Sequence, residues 1–195
     1  MDTGKPTEGL AFFLSLTESM KPKNLFLVGP MGAGKSAVGR QLAKLLHFDF
    51  VDSDDEIEAR TGVDIAFIFE KEGEAGFRVR EAAIIDQLTD RTGVVLATGG
   101  GAILDADSRS RLGARGFVVY LQTSVEQQLK RTERGRERPL LAGGDPRAVL
   151  ERLAEVRDPL YREIADIVVD TGRQSVQNLA RQLLARLKEE WKLSA

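Results

Sequence analysis

The chain has 195 residues and a formal charge of −2 at neutral pH, with 42% apolar and 30% charged residues. This profile is typical of one ordinary globular α/β domain. Because the chain has no cysteine and one histidine, we exclude disulfide scaffolds, thiolate zinc sites and cysteine nucleophiles, and a Ser-His-Asp hydrolase is disfavoured. The slightly negative charge argues against a nucleic-acid partner, since binding phosphates requires a basic excess.

The first 23 residues are predicted to be an N-terminal extension that precedes a single domain over residues 24–195. Its apolar run, at residues 10–16, is too short to cross a membrane and has no cleavage pattern of a signal peptide after it. We therefore expect a cytoplasmic protein with no membrane partner.

From residue 24 onward, short apolar runs alternate with amphipathic segments. Strands are predicted at 25–28, 48–51, 94–97, 117–121 and 167–169, and helices at 36–46, 65–72, 77–88, 108–112, 124–130 and 175–188. Strands that are continuous apolar runs, each followed by a helix, indicate a parallel sheet covered on both faces. The fold class is therefore α/β, with three layers.

A segment that binds phosphate follows the first predicted strand. Residues 29–36 read Gly-Pro-Met-Gly-Ala-Gly-Lys-Ser, which matches G-x-x-x-x-G-K-[ST] at every fixed position. Its backbone amides can surround a phosphate, with Lys35 on the β- and γ-phosphates and the Ser36 hydroxyl on Mg²⁺. The predicted nucleotide-binding residues of this loop are Gly32, Ala33, Gly34, Lys35, Ser36 and Ala37. No guanine signature and no motor ATPase pattern is present, so a small-molecule kinase is favoured.

Two further segments follow predicted strands and indicate the acceptor side. Asp52 and Asp54 are two residues apart, so on an extended segment both carboxylates face one site. Asp52 then suits a role toward one Mg²⁺ ion, and Asp54 suits that of the general base. The triplet Gly99–Gly101 follows another strand, at the sheet edge where ligands bind in α/β proteins. A substrate packed against its bare backbone is the interpretation we favour over a simple tight turn.

Taken in order, these motifs resemble the shikimate kinase family. The resemblance covers about residues 24–187 and adds three motifs to those above: Phe-Arg-Val-Arg-Glu at 77–81, Arg-Pro-Leu-Leu at 138–141 and Arg-Asp-Pro-Leu-Tyr at 157–161. It implies a fold like that of nucleoside-monophosphate kinases, with five parallel strands in the order 2-3-1-4-5. It also implies transfer of the γ-phosphoryl group of ATP to the 3-hydroxyl of shikimate, in a monomer with ATP and shikimate as its partners.

The resemblance also assigns roles to single residues. Asp54 would hold the ring hydroxyls, Gly100 and Gly101 would line the ring, and Arg78 and Arg157 would bind the shikimate carboxylate. Glu81, three residues after Arg78 on a helix, would orient that arginine. On the nucleotide side the predicted residues are Arg138, on the transferred phosphate, Arg131, over the adenine, and either Arg173 or Gln174, of which we favour Gln174. Substrate-binding helices are expected at about residues 54–89.

A mobile lid is predicted at about residues 132–145, which are polar, rich in glycine and dense in arginine. A kinase must exclude water from the transferred phosphoryl group, and closure of such a lid would do so.

Two alternatives remain at this stage. A gluconate-type kinase would share the phosphate loop and lid but gives no reason for Arg78, Arg157 and the glycine triplet to occur together. A non-catalytic module on the same fold is expected to have lost Asp54 or one of those arginines, and this chain has all three.

Overall fold

The computed structural model describes residues 24–132, 144–172 and 174–191. In it, five strands form at the apolar runs predicted from the sequence. They are Leu25–Val28 (β1), Asp49–Asp52 (β2), Val94–Ala97 (β3), Phe117–Gln122 (β4) and Ile167–Asp170 (β5). All the pairings are parallel, and the strand order is β2-β3-β1-β4-β5, as the resemblance implied. The predicted N-terminal extension and residues 133–143 of the predicted lid lie outside the described residues.

Seven helices connect and flank these strands in the described part of the chain. They are Lys35–Leu46 (α1), Ser53–Thr61 (α2), Ile65–Thr89 (α3), Ala106–Arg115 (α4), Val125–Thr132 (α5), Pro146–Ile164 (α6) and Val176–Glu190 (α7). None of them has both the length and the apolar character that crossing a membrane requires.

Alternate residues of β1 supply the two sides of the hydrophobic core. Leu25 and Leu27 pack with α1 and α7, whereas Phe26 and Val28 pack with residues of α3, α4 and α6. A strand that is buried on both faces needs apolar residues at every position, which explains its continuous apolar run. The prediction of a parallel sheet with helices on both faces is confirmed.

The two helices predicted at 65–72 and 77–88 occur as the single assigned element α3, which is broken at Gly73. This residue has φ 69° and ψ −177°, a backbone conformation that only glycine adopts without strain. The second half of α3 therefore starts in a new direction, and it carries Arg78 and Glu81 toward the carboxyl edge of the sheet.

Candidate active site

The phosphate loop lies between β1 and α1. Gly29, Gly32 and Gly34 all have positive φ, and a β-carbon at Gly29 would overlap the carbonyl oxygen of Leu121. The Lys35 ammonium donates hydrogen bonds to the carbonyl oxygens of Gly29, at 2.6 Å, and of Pro30, at 2.9 Å. These contacts hold its positive charge over the loop, beside the amino end of α1, where an anion is favoured.

The acidic pair lies at the junction of β2 and α2, and its geometry corrects one expectation. The strand ends at Asp52 and the helix begins at Ser53, so the two carboxylates do not project from one extended segment. Asp52 instead caps α2, with its Oδ1 atom accepting from the Asp54 amide at 3.1 Å. Its Oδ2 atom accepts from the Ser36 hydroxyl at 2.6 Å, which joins the acidic pair to the phosphate loop.

The glycine triplet after β3 is lined by charged side chains, so we define Gly99–Gly101 as the glycine wall. A β-carbon at Gly99 would lie 2.5 Å from Glu81 Oε1 and 2.7 Å from Asp54 Oδ1, and one at Gly101 would overlap the Arg78 guanidinium. One at Gly100 would lie 3.4 Å from the backbone nitrogen of Met31 in the phosphate loop. The wall thus brings the acceptor residues next to the phosphate loop, and larger residues would displace them.

Arg78 lies between two carboxylates on α3, one buried and one exposed. Its Nη1 atom donates to Glu81 Oε2 at 2.6 Å and its Nη2 atom to Glu74 Oε1 at 2.8 Å. The side chain of Glu81 is only 3% exposed, against 50% for that of Glu74. Burial raises the pKa of Glu81, although the guanidinium groups of Arg78 and Arg157 oppose that shift. The contact between Glu81 and Arg78 that the sequence predicted is present.

Arg157 reaches the wall from α6. It is 4% exposed, and its Nη1 atom donates to the Gly100 carbonyl oxygen at 3.3 Å. Its buried Nε atom makes no hydrogen bond within the described residues. A buried guanidinium with donors to spare is suited to a planar anion such as a carboxylate.

The nucleotide side of the loop is bordered by Arg131, at the end of α5. Its guanidinium donates to the carbonyl oxygens of Gly32, at 2.9 Å, and Gly172, at 3.1 Å. It thereby connects the phosphate loop to the turn after β5, where Gln174 is exposed. Arg138 and Arg173 lie outside the described residues.

Two residues at the wall received no role from the sequence. Ser53 is fully buried, and its hydroxyl oxygen accepts from the Gly99 amide at 2.8 Å. Tyr161 is also buried, and its hydroxyl donates to the Gly100 carbonyl at 2.5 Å. The available signals were their positions, with Ser53 between the two aspartates and Tyr161 one helical turn after Arg157.

A phosphate loop facing a wall of glycines with carboxylates and guanidinium groups defines a P-loop kinase that acts on a small molecule. The family model of shikimate kinase matches residues 31–188 of this chain. The chain therefore belongs to the shikimate kinase family.

Known relatives agree with this assignment. Shikimate kinase of Shewanella pealeana is 57% identical over 165 residues, which cover 85% of this chain and 96% of that protein. The structure of shikimate kinase from Acinetobacter baumannii in complex with shikimate has a TM-score of 0.85 and 50% identity, and the match covers 91% of this chain and 99% of that one. A gluconokinase from Sinorhizobium meliloti, with a TM-score of 0.56 and 20% identity over 88% of this chain and 95% of that one, shares the fold alone.

Proposed function

We propose that the residues around the phosphate loop and the glycine wall carry out the reaction of this family in the following roles. The reaction is the transfer of the γ-phosphoryl group of ATP to the 3-hydroxyl of shikimate, which gives shikimate 3-phosphate and ADP in the biosynthesis of aromatic amino acids. The observation that carries the role assignment is the approach of two guanidinium groups, those of Arg78 and Arg157, to one wall beside the phosphate loop.

On the acceptor side, Arg78 and Arg157 bind the carboxylate of shikimate, and its ring rests on Gly100 and Gly101. Glu81 holds Arg78 through the bond of 2.6 Å between them. Asp54 takes the proton of the 3-hydroxyl as that oxygen attacks the γ-phosphorus, and the bond from the γ-phosphorus to the β–γ bridging oxygen breaks to release ADP. Support for Asp54 comes from its carboxylate, which lies against the wall at Gly99.

On the donor side, Lys35 and the amides of residues 32–37 hold the phosphates of ATP. Arg131 and Gln174 border the adenine, and Arg138 neutralises charge on the transferred phosphoryl group. These roles are supported by the position of Lys35 over the loop and by the bridge that Arg131 forms across it. Electrostatic stabilisation and positioning supply most of the catalysis in phosphoryl transfer.

Mg²⁺ would be held by Ser36 and Asp52 together with phosphate oxygens. The residues fit this ion, since a hydroxyl and a carboxylate oxygen lie 2.6 Å apart beside the phosphate loop and Mg²⁺ prefers oxygen ligands. When bound, it neutralises phosphate charge. No cluster of three or more His, Asp or Glu side chains suited to a metal occurs in the described ranges.

The proposal also covers the domain organisation, the oligomeric state and the location of the protein. Residues 24–195 form one domain that acts as a monomer in the cytoplasm, with residues 132–145 as a lid. Residues 1–23 are an extension without an assigned role.

A coupled assay for ADP with ATP, Mg²⁺ and shikimate tests the proposal, with gluconate as the control substrate. We expect Asp54→Asn to lower kcat roughly 100-fold or more while the KM for ATP changes little. Asp55→Asn is the matched control, because Asp55 is the next carboxylate along α2 and pairs with Arg40 at the surface. Equal turnover in the two variants would exclude the base role of Asp54.

The carboxylate-binding role of Arg157 is tested separately. Arg157→Ala should raise the KM for shikimate much more than the KM for ATP. Arg162→Ala, which removes an exposed arginine of the same helix that bonds Asp158, should change neither. A similar increase in both KM values for Arg157→Ala would contradict the assignment.

A further inference from the structure

The hydroxyl of Tyr161 is the best-placed neutral donor at the glycine wall. It lies 2.5 Å from the Gly100 carbonyl oxygen, and the same oxygen accepts from Arg157 Nη1 at 3.3 Å. Tyr161 and Arg157 are four residues apart on α6, so they share one face of that helix. The Gly100 carbonyl oxygen thus accepts from two different side chains. The Arg157 guanidinium can form an ion pair with a substrate carboxylate, whereas the Tyr161 phenol cannot.

The two bonds differ in length, and the difference matters for Arg157. A donor–acceptor distance of 2.5 Å is at the short limit for a hydroxyl donor, whereas 3.3 Å is beyond the usual range for a nitrogen donor. A carbonyl oxygen can accept two hydrogen bonds, and at Gly100 the bond from Tyr161 is the short one of the two. The guanidinium of Arg157 is therefore weakly bonded to the Gly100 carbonyl, it also lies within hydrogen-bonding reach of the Tyr161 hydroxyl oxygen, and its Nε atom has no partner within the described residues.

Core packing and polar contacts both hold this part of α6, since Tyr161 belongs to the hydrophobic core. Pro159 lies inside the helix between the two residues and removes one backbone donor from it. A cavity of about 280 Å³ lies next to both residues, lined among others by Met31, Leu150 and Leu153. Beside this cavity, the polar contacts of Tyr161 and Arg157 add to the packing that positions the helix.

We propose that Tyr161 is a positioning residue for the substrate carboxylate: its hydrogen bond to Gly100 fixes the wall and keeps the Arg157 guanidinium free to bind that carboxylate. Without the hydroxyl, the Gly100 carbonyl has Arg157 as its remaining side-chain donor among the described residues, and the guanidinium moves toward the wall and away from the ligand. This inference rests on the proposed role of Arg157.

The protonation state of Tyr161 agrees with a donor role. Burial raises the pKa of its hydroxyl far above the ordinary value of 10, although the nearby Arg157 guanidinium opposes the shift. The phenol therefore stays neutral and keeps its proton for the Gly100 carbonyl throughout the pH range in which a kinase is assayed.

The neighbouring Tyr120 provides a matched control. Its ring stacks on that of Tyr161, with 4.9 Å between ring centroids, and it is just as buried. Its hydroxyl, however, donates to Asp158 Oδ1 at 2.7 Å, away from the wall. Tyr161→Phe and Tyr120→Phe thus each remove one bonded hydroxyl from the same pair of rings.

The test measures KM and kcat for both variants with shikimate and with its carboxamide, which lacks the negative charge. We expect Tyr161→Phe to raise the KM for shikimate roughly 5- to 10-fold, the equivalent of one hydrogen bond, with the KM for ATP unchanged. The KM for the carboxamide divided by the KM for shikimate should be smaller in Tyr161→Phe than in the wild type, because the ion pair between Arg157 and the substrate carboxylate is the interaction that weakens. Tyr120→Phe should keep the wild-type values.

Three outcomes would overturn the inference. The first is an unchanged KM for shikimate in Tyr161→Phe, and the second is an equal increase in Tyr120→Phe. The third is an equal increase for shikimate and carboxamide, which would assign Tyr161 to the ring surface alone. Arg157→Ala separates this inference from the proposed function: if that variant also keeps the wild-type KM for shikimate, the carboxylate-binding role itself is wrong.

Discussion

Replacement of Gly101 by alanine perturbs the active site through one methyl group. Gly101 has φ −100° and ψ −9°, a conformation open to any residue, so the substitution causes no backbone strain. The new β-carbon, however, would lie 2.5 Å from Arg78 Nη2 and closer still to Nη1 and Cζ. The guanidinium must therefore move by about 1 Å to restore an ordinary contact distance.

The size of the effect follows from what Arg78 loses in that movement. If the guanidinium moves directly away from Glu81, a shift of about 1 Å lengthens the bond between them from 2.6 Å to about 3.6 Å, which is no longer a hydrogen bond. Hydrogen bonds to charged groups contribute about 1.5–3 kcal/mol, and a misplacement of about 1 Å in an active site costs up to roughly 100-fold in rate. We expect Gly101→Ala to lower kcat/KM for shikimate roughly 10- to 100-fold, with the KM for ATP changed less than about twofold.

The coupled assay for ADP measures both constants, and Gly113→Ala is the control. Gly113 lies in α4, where a β-carbon would approach only Ile164, at 4.0 Å, so its replacement should leave the kinetics unchanged and favour the helix. Wild-type kinetics in Gly101→Ala would refute the reasoning that the bare wall holds Arg78 in place. If Arg78→Ala were equally active, the error would instead lie in the role proposed for Arg78.

Three other variants test single contacts. Burial raises the pKa of Glu81 above 4.5, so its carboxyl group binds a proton more readily in the folded protein than in the unfolded chain. The stability contributed by the protonated Glu81 therefore falls as pH rises from 4.5 through the raised pKa. In urea unfolding over this pH range, Glu81→Gln should lack this pH-dependent loss of the free energy of unfolding. Ser53→Ala leaves the buried Gly99 amide without its acceptor and should lower the free energy of unfolding by about 1–3 kcal/mol. The control Ser110→Ala, at an exposed position of α4, should not lower it, and equal stability of the two variants would contradict the role of the Ser53 contact. Arg131→Lys keeps the charge but replaces the two separate nitrogens that reach Gly32 and Gly172 with a single one, so the KM for ATP should rise roughly 3- to 10-fold while the KM for shikimate stays constant. A rise in both KM values would argue against a role limited to the nucleotide.

The sequence by itself determined the parallel sheet, the phosphate loop and the positions of all five strands, but α6, which carries Arg157 and Tyr161, was not among the predicted helices. These features depend on local patterns: continuous apolar runs for strands buried on both faces, a 3.6-residue period for helices, and fixed spacing of glycines, Lys35 and Ser36 in the loop. The contact of Glu81 with Arg78 was predictable for the same reason, since residues three apart on a helix are neighbours. The strand order and the individual roles, by contrast, came from the family resemblance.

Only the tertiary structure decided how the wall is built. The contacts of Gly99 with Ser53 and of Gly100 with Tyr161 join residues that are 46 and 61 positions apart in the chain. They depend on how α2 and α6 pack against the carboxyl edge of the sheet, which no local pattern encodes. The same holds for the acidic pair, because β2 ends at Asp52 and α2 starts at Ser53. As a result, the Asp52 carboxylate caps the helix and accepts from Ser36, whereas the Asp54 carboxylate faces the glycine wall.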